Sequence, residues 1–421
     1  MALSARPPAP TAAELHLNIM DDGAPLAVPG PIAGANLRAG EDSALPGHSP
    51  APHGDSFPTG NGGSVGGRLH SNGFANGGSE TGDGTGEWHS VKDPFGGGGD
   101  FTRVGARGGG GSVSRACRWL RNRRWRAHWR ALRPWSFGAS LAPVALGAAL
   151  AWRADGTFRP AAFAATLACV LCVHGAGNLV NTYYDFARGV DSGDHRSDDR
   201  TLVDGLLAPA QVVRLGALLY SAGCAGALAL AAASPLRNEH LALLYFGGLS
   251  SSFLYTGGIG LKYVAMGDAL IFVTFGPLSV LFAFSAQTGR LAAGPLAYGL
   301  PLALLAQAAL HANNARDAEG DRAAGAVTLA MVMGPAASYA LYIALLLLPF
   351  AGLAAGAARL RAPTLAAPLA ALPLALRLER RFRAGTLMDV PQGTARLGLA
   401  VGLLYAAGVL LAPPGSLPGL T

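Results

Sequence analysis

Long apolar windows recur from residue 136 onward, and they restrict the fold of this chain more than any other feature. Most approach the roughly 20 residues that a helix needs to cross a bilayer. Half of the 421 residues are hydrophobic and only 14% are charged. The nine windows cover residues 136–153, 161–181, 210–233, 239–257, 264–286, 294–313, 326–350, 363–378 and 395–412. The sequence therefore predicts an all-α, polytopic membrane protein with a nine-helix transmembrane bundle.

The part of the chain before these windows differs in composition. Residues 1–112 are rich in Gly, Pro, Ser and Asn, with glycine runs at 96–99 and 108–111, and are predicted to form a disordered tail. Residues 113–134 interleave arginine with tryptophan. Nucleic-acid binding is one interpretation, but the position next to the first window favours a segment that lies on anionic lipid headgroups. Residues 135–418 then form the intramembrane domain.

Two patches of polar residues stand at the ends of the second and sixth windows. Charged groups at such positions usually face a bundle interior or a wet cavity and bind something. Within each patch a spacing of four residues places the oxygen donors on one helix face, while Asp191 follows a helix opening expected at Gly189. The donors are Asn181, Asp185 and Asp191 in the first patch and Asn313, Asp317 and Asp321 in the second.

The number of windows between the two patches decides whether they can act together. An even number of crossings separates them, so both emerge on the same membrane face. Lys and Arg are somewhat enriched in the loops on that side, which predicts that this face is cytosolic. The two patches can therefore share one ligand.

The residue types in the patches indicate the chemistry of that ligand. Hard oxygen donors with no Cys or His at ligand spacing favour Mg²⁺, which keeps waters and is usually shared with substrate phosphates. Carboxylates interleaved with cations suit a diphosphate that leaves as a stabilised anion. Candidate substrate-binding residues are Arg196, Arg200, Lys262, Arg316 and Arg322 for phosphate, Asn178, Asn181 and Asn313 beside it, and Tyr184 and Tyr255 for an allylic cation.

Other polar residues in the windows have simpler interpretations. For the tyrosines, ordinary packing or interfacial anchoring is an equal alternative to cation binding. Cys169 and Cys172 have the spacing of a redox pair but lie inside an apolar window, which favours packing. His174 and His311 are interpreted as hydrogen-bonded packing residues, although His311 is close enough to the second patch to orient a substrate.

At these two patches the chain resembles the UbiA superfamily of intramembrane aromatic prenyltransferases. Residues 177–191 are similar to the first Asp-rich signature of that family and residues 313–329 to the second. Residues 197–204, 255–265, 274–277 and 411–418 are similar to its animal branch. The first signature departs from the bacterial pattern at Thr182, where bacterial members have Asp. The resemblance covers about residues 130 to 418.

The resemblance implies a UbiA-type bundle whose catalytic and metal-binding residues are Asn181, Asp185, Asp191, Asp317 and Asp321. It implies Mg²⁺-dependent transfer of a geranylgeranyl group to a naphthoquinol, menadiol, which gives menaquinone-4, a form of vitamin K2. It also implies residence in the endoplasmic reticulum or Golgi membrane and association with HMG-CoA reductase. Two alternatives stay open: another aromatic acceptor such as 1,4-dihydroxy-2-naphthoate, and an isoprenoid-sensing regulatory protein.

Overall fold

The computed structural model describes residues 125–191 and 199–420. The predicted tail 1–112, the first part of the basic segment 113–134 and Arg196 lie outside the described residues. Within the described residues the chain forms ten α-helices from Gly138 onward, a helical stretch at 125–131 and no β-strand. They are α1 Gly138–Asp155, α2 Pro160–Ala187, α3 Pro209–Ala233, α4 Asn238–Leu254, α5 Gly267–Val273, α6 Ser279–Thr288, α7 Gly294–Ala323, α8 Leu329–Arg359, α9 Leu372–Arg383 and α10 Val390–Leu410.

The helix starts follow local sequence rules. Pro160 and Pro209 occupy the first positions of α2 and α3, where the fixed φ of proline suits a helix and its missing N–H breaks no hydrogen bond. At the other end of α1, Gly156 adopts the left-handed conformation and its N–H bonds to the carbonyl of Trp152. Between α1 and α2 these signals leave a turn of only four residues, 156–159.

Helices α5 and α6 form one membrane-length unit, because a π-helical turn over Thr274–Leu278 joins them. Pro277 lies in this turn, and the Ser279 hydroxyl donates a hydrogen bond to the carbonyl of Thr274 at 2.6 Å. Gly276 faces α7 so closely that an added Cβ would lie 2.5 Å from the Cβ of Ala303. A small residue is therefore required where the π turn crosses α7.

The nine predicted windows all correspond to helical segments, with two corrections. Seven segments are long and apolar enough to cross a membrane, counted over the residues that the structure describes. The fourth window forms only the 17 residues of α4. The eighth window is a 3₁₀ helix, Pro363–Ala371, followed by α9, because prolines interrupt its first half. The all-α membrane fold is confirmed; that these two segments cross the bilayer stays a prediction.

The core lies between α1, α6, α7, α8 and α10. Leu146, Phe284, Leu305 and Tyr342 are fully buried there, and Tyr342 also stacks on Phe382 of α9 with ring centroids 4.2 Å apart. Gly402 of α10 permits this density, since an added Cβ would lie 2.3 Å from the Cβ of Ala142. In a bilayer such close packing replaces the hydrophobic effect as the force between helices.

A smaller cluster covers one end of the bundle. Residues 125–131 are helical, and their buried alanines pack with Leu179 of α2 and with Leu202 and Leu207 of the segment before α3. The C-terminal ends of α2 and α7 point to this same end, which is called the motif end below. The C-terminal segment of the chain, up to Leu420, packs at the opposite end of the bundle beside the α6–α7 loop.

Candidate active site

The first motif occupies the last turn of α2 and the turn after it. The helix continues beyond the predicted window end at 181 to Ala187, because hydropathy falls before the backbone hydrogen bonds end. Asn181 and Asp185 therefore share a face, and the Asn181 amide donates to the Asp185 carboxylate at 2.8 Å. Gly189 has a φ of 73°, which ends the helix, and the N–H of Asp191 returns to the carbonyl of Asp185 at 3.2 Å.

Asp185 is buried and receives two further hydrogen bonds from the loop after α4. Lys262 donates from Nζ at 2.7 Å and Tyr263 from its hydroxyl at 2.8 Å. The Lys262 and Asp185 side chains are only 10% and 4% exposed. Burial is the largest effect on Lys262 and disfavours its charged form, but Asp185, Tyr255 and Asp321 together outweigh it and raise the pKa of the lysine. The pair is therefore a desolvated ion pair.

The second motif lies on the last turns of α7, which extends to Ala323 rather than to the predicted 313. The Arg316 guanidinium binds the Asp317 carboxylate through Nε and Nη2, both at 2.7 Å, and also bonds Asn313 at 2.9 Å. Asp321, one turn further, is 3% exposed. Within the described residues no hydrogen bond to its carboxylate is formed, so its charge is balanced only at longer range.

The two motifs meet around the loop that carries Lys262. The N–H of Ala265 bonds to the carbonyl of Val327 at 3.0 Å, and the N–H of Val327 bonds to the carbonyl of Tyr263 at 3.3 Å. The Tyr263 side chain packs with Val190 and Ala326, the residues that follow the two motifs. Loop, first motif and second motif thus form one unit at the motif end.

Electrostatic interactions also join the two motifs. Asp321 is attracted by the positive charge of Lys262 and repelled by the carboxylates of Asp317, Asp185 and Asp191. Four carboxylates of the two motifs therefore interact with one another, and Lys262 interacts with Asp185 and Asp321. Such a concentration of negative charge binds cations.

A cavity of about 240 Å³ opens beside this unit and continues into the bundle. Asn181, Lys262 and Asn313 line its polar mouth. Its walls are mostly apolar and reach Cys169 and Phe282. Asn181 and Cys169 are twelve residues apart on α2, so the cavity follows the helix for about 18 Å. A polar head at the motifs and a long apolar tail in the bundle match this shape.

The other predicted substrate residues fall into three groups. Asn178 and Tyr255 line the cavity, and their binding of substrate stays a prediction. Tyr184 and Arg200 do not: the Tyr184 ring contacts Tyr183, and Arg200 bonds to Asp204 at 3.1 Å. Arg322 is exposed at the end of α7, and Arg196 lies outside the described residues.

Thr182 has a definite structural role. Its hydroxyl donates to the carboxylate of Asp199 at 2.6 Å, and the same carboxylate accepts the N–H of Thr201 at 2.9 Å. Both Thr182 and Asp199 are buried. Asp199 therefore caps the turn before α3, and Thr182 anchors that turn to α2.

Some cavity residues were not predicted from the sequence. Arg133 lies in the turn before α1 and lines the cavity, although its sequence context indicated only a lipid headgroup contact. His174 also lines it, with Ser140 Oγ 2.7 Å from Nδ1 and Ser136 Oγ 3.0 Å from Nε2. His311, in contrast, bonds to Ser338 and does not line the cavity. No local pattern distinguishes the three residues; only the fold does.

The donor set determines which metal these residues could hold. In the part of the chain that the structure describes, no three His, Cys, Asp or Glu side chains lie close enough together to hold a metal ion by themselves. Four carboxylates and two amides nevertheless supply only hard oxygen donors. This fits Mg²⁺, which takes one or two carboxylates and completes its shell with water and phosphate oxygens. It does not fit zinc, which favours clustered His and Cys.

Comparison with known proteins defines the class of the chain. The UbiA prenyltransferase family matches residues 140–386. UbiA prenyltransferase domain-containing protein 1 of Gallus gallus is 57% identical over 290 residues, covering 69% of this chain and 86% of the relative. The Homo sapiens protein of the same name is 57% identical over 288 residues, covering 68% and 84%. The chain belongs to the UbiA prenyltransferase family, and the predicted enzyme class is confirmed.

Two archaeal structures are also similar. A UbiA homolog from Aeropyrum pernix K1 in its apo form has a TM-score of 0.49 and 18% identity, covering 65% of this chain and 96% of that chain. A UbiA homolog from Archaeoglobus fulgidus bound to GPP and Mg²⁺ has a TM-score of 0.44 and 18% identity, covering 68% and 99%.

Proposed function

We propose that the protein transfers a geranylgeranyl group from its diphosphate to a naphthoquinol, menadiol, and so makes menaquinone-4. One observation carries this proposal: carboxylates of both motifs interact electrostatically with Lys262, and Lys262 lines the polar mouth of an apolar cavity. The charged groups at the mouth suit a diphosphate bound with metal ions. The apolar cavity suits a prenyl chain. The choice of acceptor and prenyl length follows from the resemblance to the animal branch of the family.

The proposed cofactor is Mg²⁺, held by Asn181, Asp185 and Asp191 of the first motif and by Asp317 and Asp321 of the second. When bound, the metal neutralises the charge on the departing diphosphate. Lys262 and Arg316 neutralise the remaining negative charge of the diphosphate. In this structure they bind the carboxylates of Asp185 and Asp317. A diphosphate entering the mouth offers both cations a second anionic partner.

The reaction then breaks the bond between the first prenyl carbon and its diphosphate oxygen, and the electron pair leaves with the diphosphate. An electron pair of the acceptor ring forms the new carbon–carbon bond, and the displaced ring proton passes to diphosphate or water. The apolar walls keep water from the allylic cation. Ring faces on the cavity wall, such as Tyr255 and Phe275, stabilise that cation.

The test uses purified protein in detergent with labelled geranylgeranyl diphosphate, menadiol and Mg²⁺, and mass spectrometry of the product. Asp185→Ala and Asp317→Ala should abolish product while the protein stays folded. Glu319→Ala is the matched control, since Glu319 is an exposed carboxylate on the same helix as Asp317. Loss of activity in Glu319→Ala but not in Asp317→Ala would contradict the assigned site.

The same assay separates the alternatives. Product only with 1,4-dihydroxy-2-naphthoate would change the acceptor but not the reaction. Binding of the prenyl diphosphate without turnover, for every acceptor, would favour an isoprenoid-sensing regulatory protein.

We further propose, from the resemblance alone, residence in the endoplasmic reticulum or Golgi with the motif end facing the cytosol. Association with HMG-CoA reductase is proposed on the same basis, and co-purification from those membranes tests it.

A further inference from the structure

A second cavity lies at the end of the bundle opposite the motif end. Its volume is about 390 Å³, and α7, α8, α10 and the C-terminal segment contribute to its walls. On α7 the lining residues run from Gly294 to Leu304, which is about 15 Å of helix and about half the thickness of a hydrocarbon core. The second cavity shares no lining residue with the cavity at the motifs. The reaction proposed above therefore leaves it without a role.

Part of the wall of the second cavity is a strip of glycine on α8. Gly352 and Gly356 are one turn apart, and an added Cβ at either would meet no heavy atom within 4 Å. Small residues at this spacing usually let two membrane helices approach closely. Among the described residues nothing lies against these two glycines. The strip therefore borders the open space of the cavity.

A buried tyrosine on α10 supplies the polar group of the second cavity. Tyr405 lines the cavity and is only 3% exposed, yet its hydroxyl forms no hydrogen bond within the described residues. Its neighbour Tyr298, in contrast, donates to the carbonyl of Pro418 at 3.3 Å. The Tyr405 oxygen is not sealed off by protein atoms in the described part of the chain, so it faces the cavity. Because buried hydroxyls normally have a partner, a ligand with a polar oxygen fits this position.

The polar and apolar parts of the second cavity have a fixed order along the helices. Tyr405 lies five residues before the end of α10 and Tyr298 four residues after the start of α7, so both are within about 8 Å of the helix ends. Leu304 and Leu348 lie deeper, toward the middle of the bundle. No charged side chain of the described residues lines the cavity. A charged headgroup would have no counter-ion there, whereas a hydroxyl or carbonyl needs only the tyrosine.

We propose that the second cavity binds a neutral membrane lipid with a fused-ring body and a hydroxyl or carbonyl group on the ring. The hydroxyl of Tyr405 bonds to that oxygen, and the ring lies along Gly352 and Gly356. A rigid ring loses less conformational freedom on binding than a flexible acyl chain does, and a surface without side chains fits its flat face. A quinone supplies the carbonyl and a sterol the hydroxyl. The site lies apart from both motifs and does not depend on the proposed function.

Photoreactive analogues of menaquinone-4 and of cholesterol test the site, because they represent a ring carbonyl and a ring hydroxyl. The full chain in lipid nanodiscs is labelled with each analogue, and mass spectrometry of its peptides maps the labelled residues. Gly352→Leu fills the cavity, and Tyr405→Phe removes only the hydroxyl. Gly247→Leu is the matched control, since Gly247 is a glycine on α4 with open space at its Cβ position and lines neither cavity.

At least one analogue should label residues 294–304 or 348–356. Gly352→Leu should reduce that labelling roughly tenfold, because its side chain occupies the ligand volume. Tyr405→Phe should reduce it about fivefold, the effect of one hydrogen bond, and should unfold at the wild-type temperature when no ligand is present. Gly247→Leu should match the wild type in labelling. All three variants should keep the wild-type kinetics of prenyl transfer.

No labelling of these residues by either analogue, or labelling that Gly352→Leu leaves unchanged, would overturn the proposal. A change from dimer to monomer in Gly352→Leu with unchanged labelling would assign the glycine strip to a contact between two copies of the chain. Labelling by one analogue alone would support the site and identify the oxygen group that it takes. Absence of prenyl transfer in the wild type would remove the proposed function but not this site.

Discussion

Asp185 is the residue on which both stability and chemistry of the site depend. Its carboxylate accepts hydrogen bonds from Asn181, Lys262 and Tyr263 in a buried position. A buried ion pair gains little over well-packed neutral groups, but removing one partner leaves an unpaired charge in a medium of low dielectric. The pair is therefore explained by its function as a cation site rather than by its contribution to folding.

A charge-pair cycle tests this explanation. Lys262→Met should destabilise the protein by roughly 3 kcal/mol, because Asp185 stays buried without its cation. Adding Asp185→Asn should restore most of that stability while leaving the enzyme inactive. Chemical unfolding in detergent and the prenyl transfer assay measure the two quantities. Recovery of activity in the double variant would contradict a role of Asp185 in cation binding.

The pH dependence of stability follows from the same pair. Burial opposes the charge of Lys262, but Asp185, Tyr255 and Asp321 together raise its pKa above the ordinary 10.5. A raised folded-state pKa adds stability below the unfolded value, and this stability is lost only as pH rises through the folded value. The contribution of the pair should therefore be constant between about pH 7 and pH 9, as unfolding curves across that interval would verify. A steep fall there would contradict it.

At the scale of elements, the loop between α4 and α5 brings the two motifs together. Ala265, with a φ of 58°, directs its N–H to the carbonyl of Val327, and Tyr263 packs between the residues that follow each motif. Arg188, just after α2, lies over the Tyr263 ring at 4.2 Å. The loop therefore sets the spacing of carboxylates that belong to helices far apart in sequence.

Two substitutions at Ala265 separate conformation from hydrogen bonding. Ala265→Gly keeps the N–H and favours the positive φ, so stability and activity should be kept or improved. Ala265→Pro removes the N–H and forces a negative φ, which should cost about 3 kcal/mol or more and abolish activity. Thermal unfolding and product formation check both variants. Equal behaviour of the two would show that the backbone link to Val327 is dispensable.

At the scale of the whole molecule, the two ends of the bundle have different tasks. The motif end holds the carboxylates, while the opposite end is closed by Arg290 in the α6–α7 loop. Its guanidinium bonds both oxygens of Asp155 at 2.7 and 2.8 Å and the carbonyl of Leu420 at 2.7 Å. The N–H of Gly294 also bonds to the carbonyl of Gly419. This contact joins the end of α1 to the C-terminal segment.

Arg290→Ala should therefore lower stability without changing the reaction. The Arg290 and Asp155 side chains are 35% and 26% exposed, so solvent screening limits the loss to about 1 kcal/mol. The values of kcat and KM should match the wild type, because the contact lies at the other end from the motifs. Thermal unfolding beside steady-state kinetics provides the check. A large change in KM for the donor would indicate that the two ends are coupled.

The sequence by itself determined the class of fold and the identity of the motifs. A long apolar window predicts a helix buried in lipid. In lipid the backbone N–H and C=O groups must bond within the segment itself, which an α-helix allows. A spacing of four residues likewise fixed Asn181 and Asp185 on one helix face. Hydropathy and residue spacing are properties of short stretches of chain, so they can be read from the sequence alone.

Only the tertiary structure decided how the site is assembled. It paired Asp185 with Lys262 across 77 positions of the chain and brought Arg133 from a basic segment to the cavity mouth. It also extended α2 to Ala187 and α7 to Ala323, beyond the ends of the apolar windows. Hydropathy measures transfer to lipid, whereas contacts between distant residues depend on how helices pack, and no local pattern of this chain encodes that geometry.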